Sequence, residues 1–202
     1  MCLKVVRREM NDFLEQLIME CAPYIQRGAV ANYIPELSKV NADALGAYIV
    51  SCDGKHYFAG DYSHKFTIQS IVKPILLLQA LLDNGIFQAC SISVTCKDLA
   101  NIGFVLANHG CLLGTNKHIV PANYAQYVNA ILMTCGVYDG SGEFAVRVSL
   151  PAKSGVGGGI MAVVPTRMGI GIYSPTLDSK GNSVAGIQML ERLSHQLYLS
   201  IF

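Results

Sequence analysis

The stretch FTIQSIVKPILLLQALL, Phe66 to Leu82, sets a serine and a lysine three residues apart at the head of a dense apolar run. Pro74 fixes how the run is read. Proline lacks an N–H and is tolerated only in the opening turn of a helix, where that donor would be unpaired anyway, so a helix begins near Ser70. Residues i and i+3 share a helix face, which lets Ser70 and Lys73 touch. A serine hydroxyl needs a base to become a nucleophile. A lysine can serve only if it titrates roughly 2 to 3 pH units below its free value of about 10.4. Burial among Ile71, Ile75 and Leu76 acts in that direction, as does the positive end of the helix dipole. The same helix head offers the Ser70 N–H to a developing oxyanion. S-x-x-K on its own arises about once by chance in a chain of this size, so the rest of the sequence has to decide.

Working outward, Asn11 stands before DFLEQLIMECA, where Leu14, Leu17, Ile18 and Cys21 recur at helical spacing, and is expected to cap that helix, with Pro23 ending it. ALGAYIVSCDGKHYFAG places Asp53-Gly54 between two β-prone runs, a hairpin signal. Cys96 to Ala107 reads as a helix with Leu99, Ile102 and Leu106 inward, stopped by Gly110. Pro121 to Cys135 reads as another, presenting Tyr124, Tyr127, Val128, Ile131, Leu132 and Cys135 on one face, with Gly136 past its end. Ile160 to Val164 and Met168 to Tyr173 form a second hairpin around Pro165, and Asn182 is expected to cap a last helix through Val184, Ile187 and Leu190. Strands near both chain ends with helices between and outside them predict an α+β fold. One antiparallel sheet is assembled from both ends of a single domain spanning 1–202.

The 202 residues suffice for a core without metal or disulfide staples. Charged residues are 14% and apolar ones 51%, so much of the chain is interior or interface and a homo-oligomer is expected. No run reaches the roughly 18 apolar residues of a membrane span. A net charge of +1 without a basic stripe argues against nucleic acid or anionic lipid and for a small-molecule partner. The charged N-terminal segment lacks an export signal, and seven cysteines without C-x-x-C are read as reduced, mostly buried thiols of a cytoplasmic protein. Cys90 and Cys96 fit no common zinc spacing, so no metal is expected.

A second constellation bears on Ser70. TCGVYDGSGEFAVRVSLPAKSGVGGGI, Thr134 to Ile160, is rich in glycine and small residues. Lys153-Ser154-Gly155 has the K-[ST]-G form that accompanies S-x-x-K in serine acyl-transfer enzymes, where a strand edge brings a cation, a hydroxyl and backbone N–H groups to the nucleophile. A dinucleotide reading of GVGGGI fails, because the G-x-G-x-x-G spacing breaks at Ile160 and no β-α-β frame surrounds it. Tyr138 can be core or can line a pocket, and its polar and glycine neighbours favour the pocket.

YIPEL (Tyr33–Leu37), FTIQSIVK (Phe66–Lys73), CSISVTCKDLA (Cys90–Ala100), LMTCGVYDGSGEFAVRVSLPAKSGVGGGIMAVVP (Leu132–Pro165) and SPTLDSKGNSVAGIQMLE (Ser174–Glu191) together resemble the serine-dependent glutaminases. These are β-lactamase/transpeptidase-like amidohydrolases that convert L-glutamine to L-glutamate and ammonia. The resemblance implies Ser70 as nucleophile, Lys73 as its base and Tyr138 as the tyrosine that assists proton transfer. It also implies the Val156 N–H as partner of the Ser70 N–H in the oxyanion hole, Tyr33 as a substrate contact, Lys153 and Ser154 as support of the site, and no cofactor. One departure stands out. The family's helical insertion, on the order of 100 residues, is expected between the S-x-x-K helix and C-S-I, but between about 77 and 89 this sequence offers only a short interval. The helical lobe is therefore reduced, and an Asn, a Glu and a second Asn that grip the amino-acid end of glutamine are missing with it. A catalytically impaired glutaminase-like scaffold is the alternative this departure raises. A penicillin-recognising hydrolase is disfavoured by the absence of an export signal.

Overall fold

The continuous apolar runs in GAYIVS and GIMAVV select strands buried on both faces. The computed structural model describes residues 7–81, 91–115 and 117–202. Helix α1 (Arg7–Cys21) and a 3-10 turn (Ala22–Arg27) lead to β1 (Ala29–Val30). The hairpin β2 (Gly46–Ser51) and β3 (His56–Gly60) follows, then β4 (Phe66–Thr67), a second 3-10 turn (Gln69–Val72) and α2 (Lys73–Leu81). Next come β5 (Ser93–Val94), α3 (Cys96–Ala107), α4 (Ala122–Cys135) and α5 (Ser141–Arg147). The chain closes with β6 (Ala152–Ser154), β7 (Gly159–Val164), β8 (Met168–Tyr173), β9 (Thr176–Leu177) and α6 (Val184–Gln196).

Five strands form the central antiparallel sheet in the order β3-β2-β8-β7-β6, so the sheet is built from both ends of the chain, as expected. Ala47 and Ile49 face one core with Leu14 and Leu17 of α1 and Met189, Leu190 and Leu193 of α6. Tyr48 and Val50 face the other, with Leu99 and Phe104 of α3, Val128 and Leu132 of α4, and Ile71 and Val72. Period-two alternation thus divides the hairpin between two apolar layers. Helix α3 lies against β8 closely enough that a Cβ on Gly171 would meet the Cys96 carbonyl oxygen at 2.1 Å. Thr95 and Asp98 close a capping box at its start.

Several expectations need correction. Asn11 lies inside α1, and its Oδ1 accepts a hydrogen bond from the Phe58 N–H at 3.1 Å, satisfying an outer-edge donor of β3 instead of capping a helix. The cap of α6 is Ser183, whose hydroxyl accepts from the Gly186 N–H at 3.2 Å. Asn182 is buried one residue earlier. Helix α4 buries Ala125, Val128 and Leu132 and leaves Tyr127, Ile131 and Cys135 exposed, because the apolar stripe is wider than the contact α4 makes. Among the described cysteines, Cys21 and Cys96 are buried but Cys52 and Cys135 are exposed. Cys90, and most of the interval from about 77 to 89 where the helical insertion was expected to be missing, lie outside the described residues. No group of three or more potential metal ligands occurs among the described residues, and no described helix is long and apolar enough to cross a membrane.

Candidate active site

Ser70 stands in the 3-10 turn that runs into α2, and the Lys73 N–H donates to the Ser70 carbonyl. Positions i and i+3 eclipse in a 3-10 turn, which sets Ser70 and Lys73 on the same side of the backbone. Gln69, just before the serine, has φ +49°, a left-handed conformation that costs a non-glycine residue about 1–3 kcal/mol and is held by its surroundings. Its Nε2 donates to Thr67 Oγ1 at 2.9 Å.

The β6–β7 hairpin turn lies directly on this segment. Gly155 N–H donates to Gly159 O at 3.0 Å and Gly158 N–H to Gly155 O at 2.9 Å, which leaves the Val156 N–H outside the turn's own bonds. A side chain at Gly157 would place its Cβ 2.7 Å from the Thr67 carbonyl oxygen. Glycine there is what lets the turn settle onto the chain ahead of Ser70. Val156 also packs on Ala31, Leu37 and Leu177, so the YIPEL segment forms one wall of the site. Tyr33 in that segment is 65% exposed.

Tyr138 closes the other side. It too has a left-handed backbone, φ +50°. The Ser141 hydroxyl donates to the Tyr138 carbonyl at 2.8 Å and accepts from the Val137 N–H at 3.0 Å, and Asn182 Nδ2 donates to Val137 O at 3.3 Å. Ser141 and Asn182 are contributions to the site that sequence reasoning missed, although the turn-forming run Asp139-Gly140-Ser141-Gly142 is the signal that points to a fixed bend. Burial raises the Tyr138 pKa above the ordinary phenol range. Ser70 and the Val156 N–H pull the other way, and Tyr33 adds to the rise. Neither opposing contact closes into a hydrogen bond of normal geometry, so the buried Oη has no partner among the described residues.

The burial expected of Lys73 falls on Lys153 instead. Lys73 is exposed, so its expected burial fails: α2 packs on α4 and continues the 3-10 turn, and Ile75, Leu76 and Leu77 are themselves only half-buried. The buried amine is Lys153, 6% exposed. Its Nζ donates to Gly136 O at 2.9 Å and Ser154 O at 2.5 Å and stands 4.4 Å from the centroid of the Tyr138 ring. Burial, and after it the nearby Lys73 ammonium, lower its pKa to about 8, against a smaller opposing effect of Cys135. A hydroxyl, a phenol with a buried Oη, two amines and the Val156 N–H therefore lie near one another, a set suited to acyl transfer onto serine.

A family model described as Glutaminase matches residues 28–86 and 84–202. The chain belongs to the glutaminase family. It is 36% identical to a Clostridium tetani glutaminase over 305 aligned positions, covering 96% of this chain and 100% of the relative. A Clostridium perfringens glutaminase, glutaminase 2, is 34% identical over the same length and coverage. A Bacillus subtilis glutaminase, solved as the covalent complex with 5-oxo-L-norleucine formed from 6-diazo-5-oxo-L-norleucine, superposes with a TM-score of 0.90. It is 27% identical, with 95% of this chain and 99% of that one covered. The fold is thus the α+β arrangement of the glutaminases, which is β-lactamase-like. An alignment of 305 positions against a chain of 202 residues means that more than 100 positions are filled in the C. tetani glutaminase alone. The two blocks of the family match meet at residues 84–86, within the interval where the sequence departs from the glutaminase pattern.

Proposed function

We propose that the protein hydrolyses the side-chain amide of L-glutamine to L-glutamate and ammonia through an ester on Ser70. The Tyr138 hydroxyl, which responds to both Ser70 and the Val156 N–H while lacking a hydrogen-bond partner of its own, is the observation that carries this reading. A buried phenol without an internal partner is a group kept for something that arrives. In the proposed cycle Lys73 takes the Ser70 Oγ proton as Oγ attacks the amide carbon. The N–H groups of Ser70 and Val156 hold the oxyanion, and Tyr138 passes a proton to the departing ammonia. Water then attacks the ester, the proton path runs in reverse, and L-glutamate leaves. Tyr33, on the exposed wall, contacts the substrate. The proposed steps use protein groups, substrate and water.

The protein is further proposed to be one glutaminase-like domain that lacks the helical insertion between about 77 and 89. Its chemistry is retained while its grip on the amino-acid end of glutamine is weak. An intact mass of 21.8 kDa together with a raised KM and a measurable kcat is the expected result. A cytoplasmic homo-oligomer is proposed as well, supported by the exposed Val146, Tyr198 and Phe202. The Ile201 N–H bonds to Ser149 O and brings the chain's last residues beside the end of α5.

The decisive experiment is reaction with 6-diazo-5-oxo-L-norleucine followed by peptide mass spectrometry. The adduct is expected on Ser70 and on no other residue, and Ser70→Ala should lose both adduct and ammonia release with an unchanged melting temperature. Ammonia release that survives in Ser70→Ala refutes the assignment.

A further inference from the structure

A second concavity adjoins the site without belonging to the path from Ser70 to Tyr138. Between α2 and α4 lies a cavity of about 280 Å³ whose lining includes Leu77, Val128, Ile131 and Leu132 together with Lys73 and Lys153. Its walls are otherwise almost wholly apolar, and Ile131 is 43% exposed. We propose that this groove binds a small amphiphilic carboxylate, with its head group against the two ammonium groups and its apolar body along α4.

Charge carries the first half of the inference. Lys153 spends two of its three donors on Gly136 O and Ser154 O, and among the described residues neither lysine has a carboxylate partner. Two like charges lining one cavity with apolar walls repel each other, and the Lys73 charge helps lower the Lys153 pKa. One anion between them converts a mutual repulsion into two attractions. Shape carries the second half. At roughly 30 Å³ for each small group, the share of one water in the liquid, the cavity holds about nine groups, the size of a carboxylate with a six- to eight-carbon body. An unsubstituted inorganic anion would leave the apolar wall wet, and a neutral apolar molecule would leave the ammonium groups unpaired. Binding stands independently of the role proposed for Ser70. Inhibition of turnover, through pairing with Lys73, would rest on that role.

Cys135 lines the same cavity, is exposed, and gives a readout that needs no activity. The test is the rate of Cys135 alkylation by iodoacetamide, followed by peptide mass spectrometry, with sodium octanoate as the probe below its micelle-forming concentration. Cys52, also exposed and in the β2–β3 turn, is the internal control. Octanoate at ten times its dissociation constant is expected to slow Cys135 about tenfold by simple occupancy and to leave Cys52 unchanged. Acetate and 1-octanol are each expected to fail. Ile131→Asp, at a position already exposed and so compatible with folding, is expected to abolish the protection. The proposal is overturned by no protection, by equal protection from acetate or from octanol, or by protection that survives Ile131→Asp. It is also overturned if Cys135 is unreactive without additive and the protein sediments as a dimer that Ile131→Asp splits, since a second copy would then cover the groove.

Discussion

Replacing Lys153 by methionine tests the electrostatics of the site through stability alone. Lys153 titrates at about 8 in the folded protein against an ordinary value of 10.5, chiefly because it is buried. A lysine whose folded pKa is depressed destabilises the fold while both states are protonated. That penalty is relieved as pH rises through the folded pKa towards the unfolded one, because the unfolded chain then binds more protons. At about 1.36 kcal/mol per pH unit the difference amounts to about 3 kcal/mol, present in full below pH 8 and gone above 10.5. Lys153→Met removes it. The substitution also strips a donor from Ser154 O, which costs about 1–3 kcal/mol without regard to pH, while Gly136 O keeps the Ser154 N–H at 3.1 Å. At pH 7 the two effects oppose each other and the net change is small. What is diagnostic is the trend: urea denaturation of both proteins from pH 7 to 10.5 is expected to show the wild type gaining about 3 kcal/mol on the variant, most of it between pH 8 and 10. A stability difference that stays constant across that range refutes the argument that Lys153 is held as a reluctant cation.

Three further outcomes are expected. Tyr138→Phe removes a buried hydroxyl that has no partner, so a thermal melt should show stability unchanged or raised by up to about 1 kcal/mol, while kcat for ammonia release falls about 100-fold or more. Gly157→Ala sets a Cβ against the Thr67 carbonyl. The turn must shift by some tenths of an ångström, and activity should fall about tenfold or more with a stability loss of about 1 kcal/mol, read by ammonia release and melting. Asn11→Ala leaves the Phe58 N–H without its acceptor and should cost about 1 kcal/mol in urea denaturation with turnover unaffected.

What the sequence disclosed follows from how local each signal was. The Asp53-Gly54 turn, with Gly54 at φ +78°, the span of α3 and the β7–β8 hairpin are fixed by neighbours in the chain and were legible. Helix α5 was not, because Gly140 and Gly142 dilute its pattern. It is held instead by Phe144 in the core and by the ion pairs of Arg147 with Glu143 and Glu191. The two-residue pairs β1–β9 and β4–β5 carry too few residues for any periodicity. Within the site, the positions of Ser70, Tyr138, Val156 and Tyr33 could be set beside one another from the resemblance. The left-handed backbones of Gln69 and Tyr138 could not, since neither residue type favours that region and both are imposed by surroundings distant in sequence. The burial of Lys153 in place of Lys73 was hidden for the same reason: apolar neighbours in the chain say that a helix is greasy, not which side of it is covered.

Ser51 pairs with Met168, 117 residues later, and β8 supplies the inner neighbour of β2. During synthesis at roughly 5 to 20 residues per second, the β2–β3 hairpin therefore waits on the order of ten seconds with one edge open before its permanent partner leaves the ribosome. Loop closure grows only with the logarithm of length, about 0.6 kcal/mol per doubling, so the hundred-odd positions found in the C. tetani relative and not here barely alter the equilibrium of the finished sheet. They alter the wait. A relative with the longer interval exposes the same hairpin edge for about twice as long, and the shorter chain is the one less exposed to intermolecular strand pairing while it is being made.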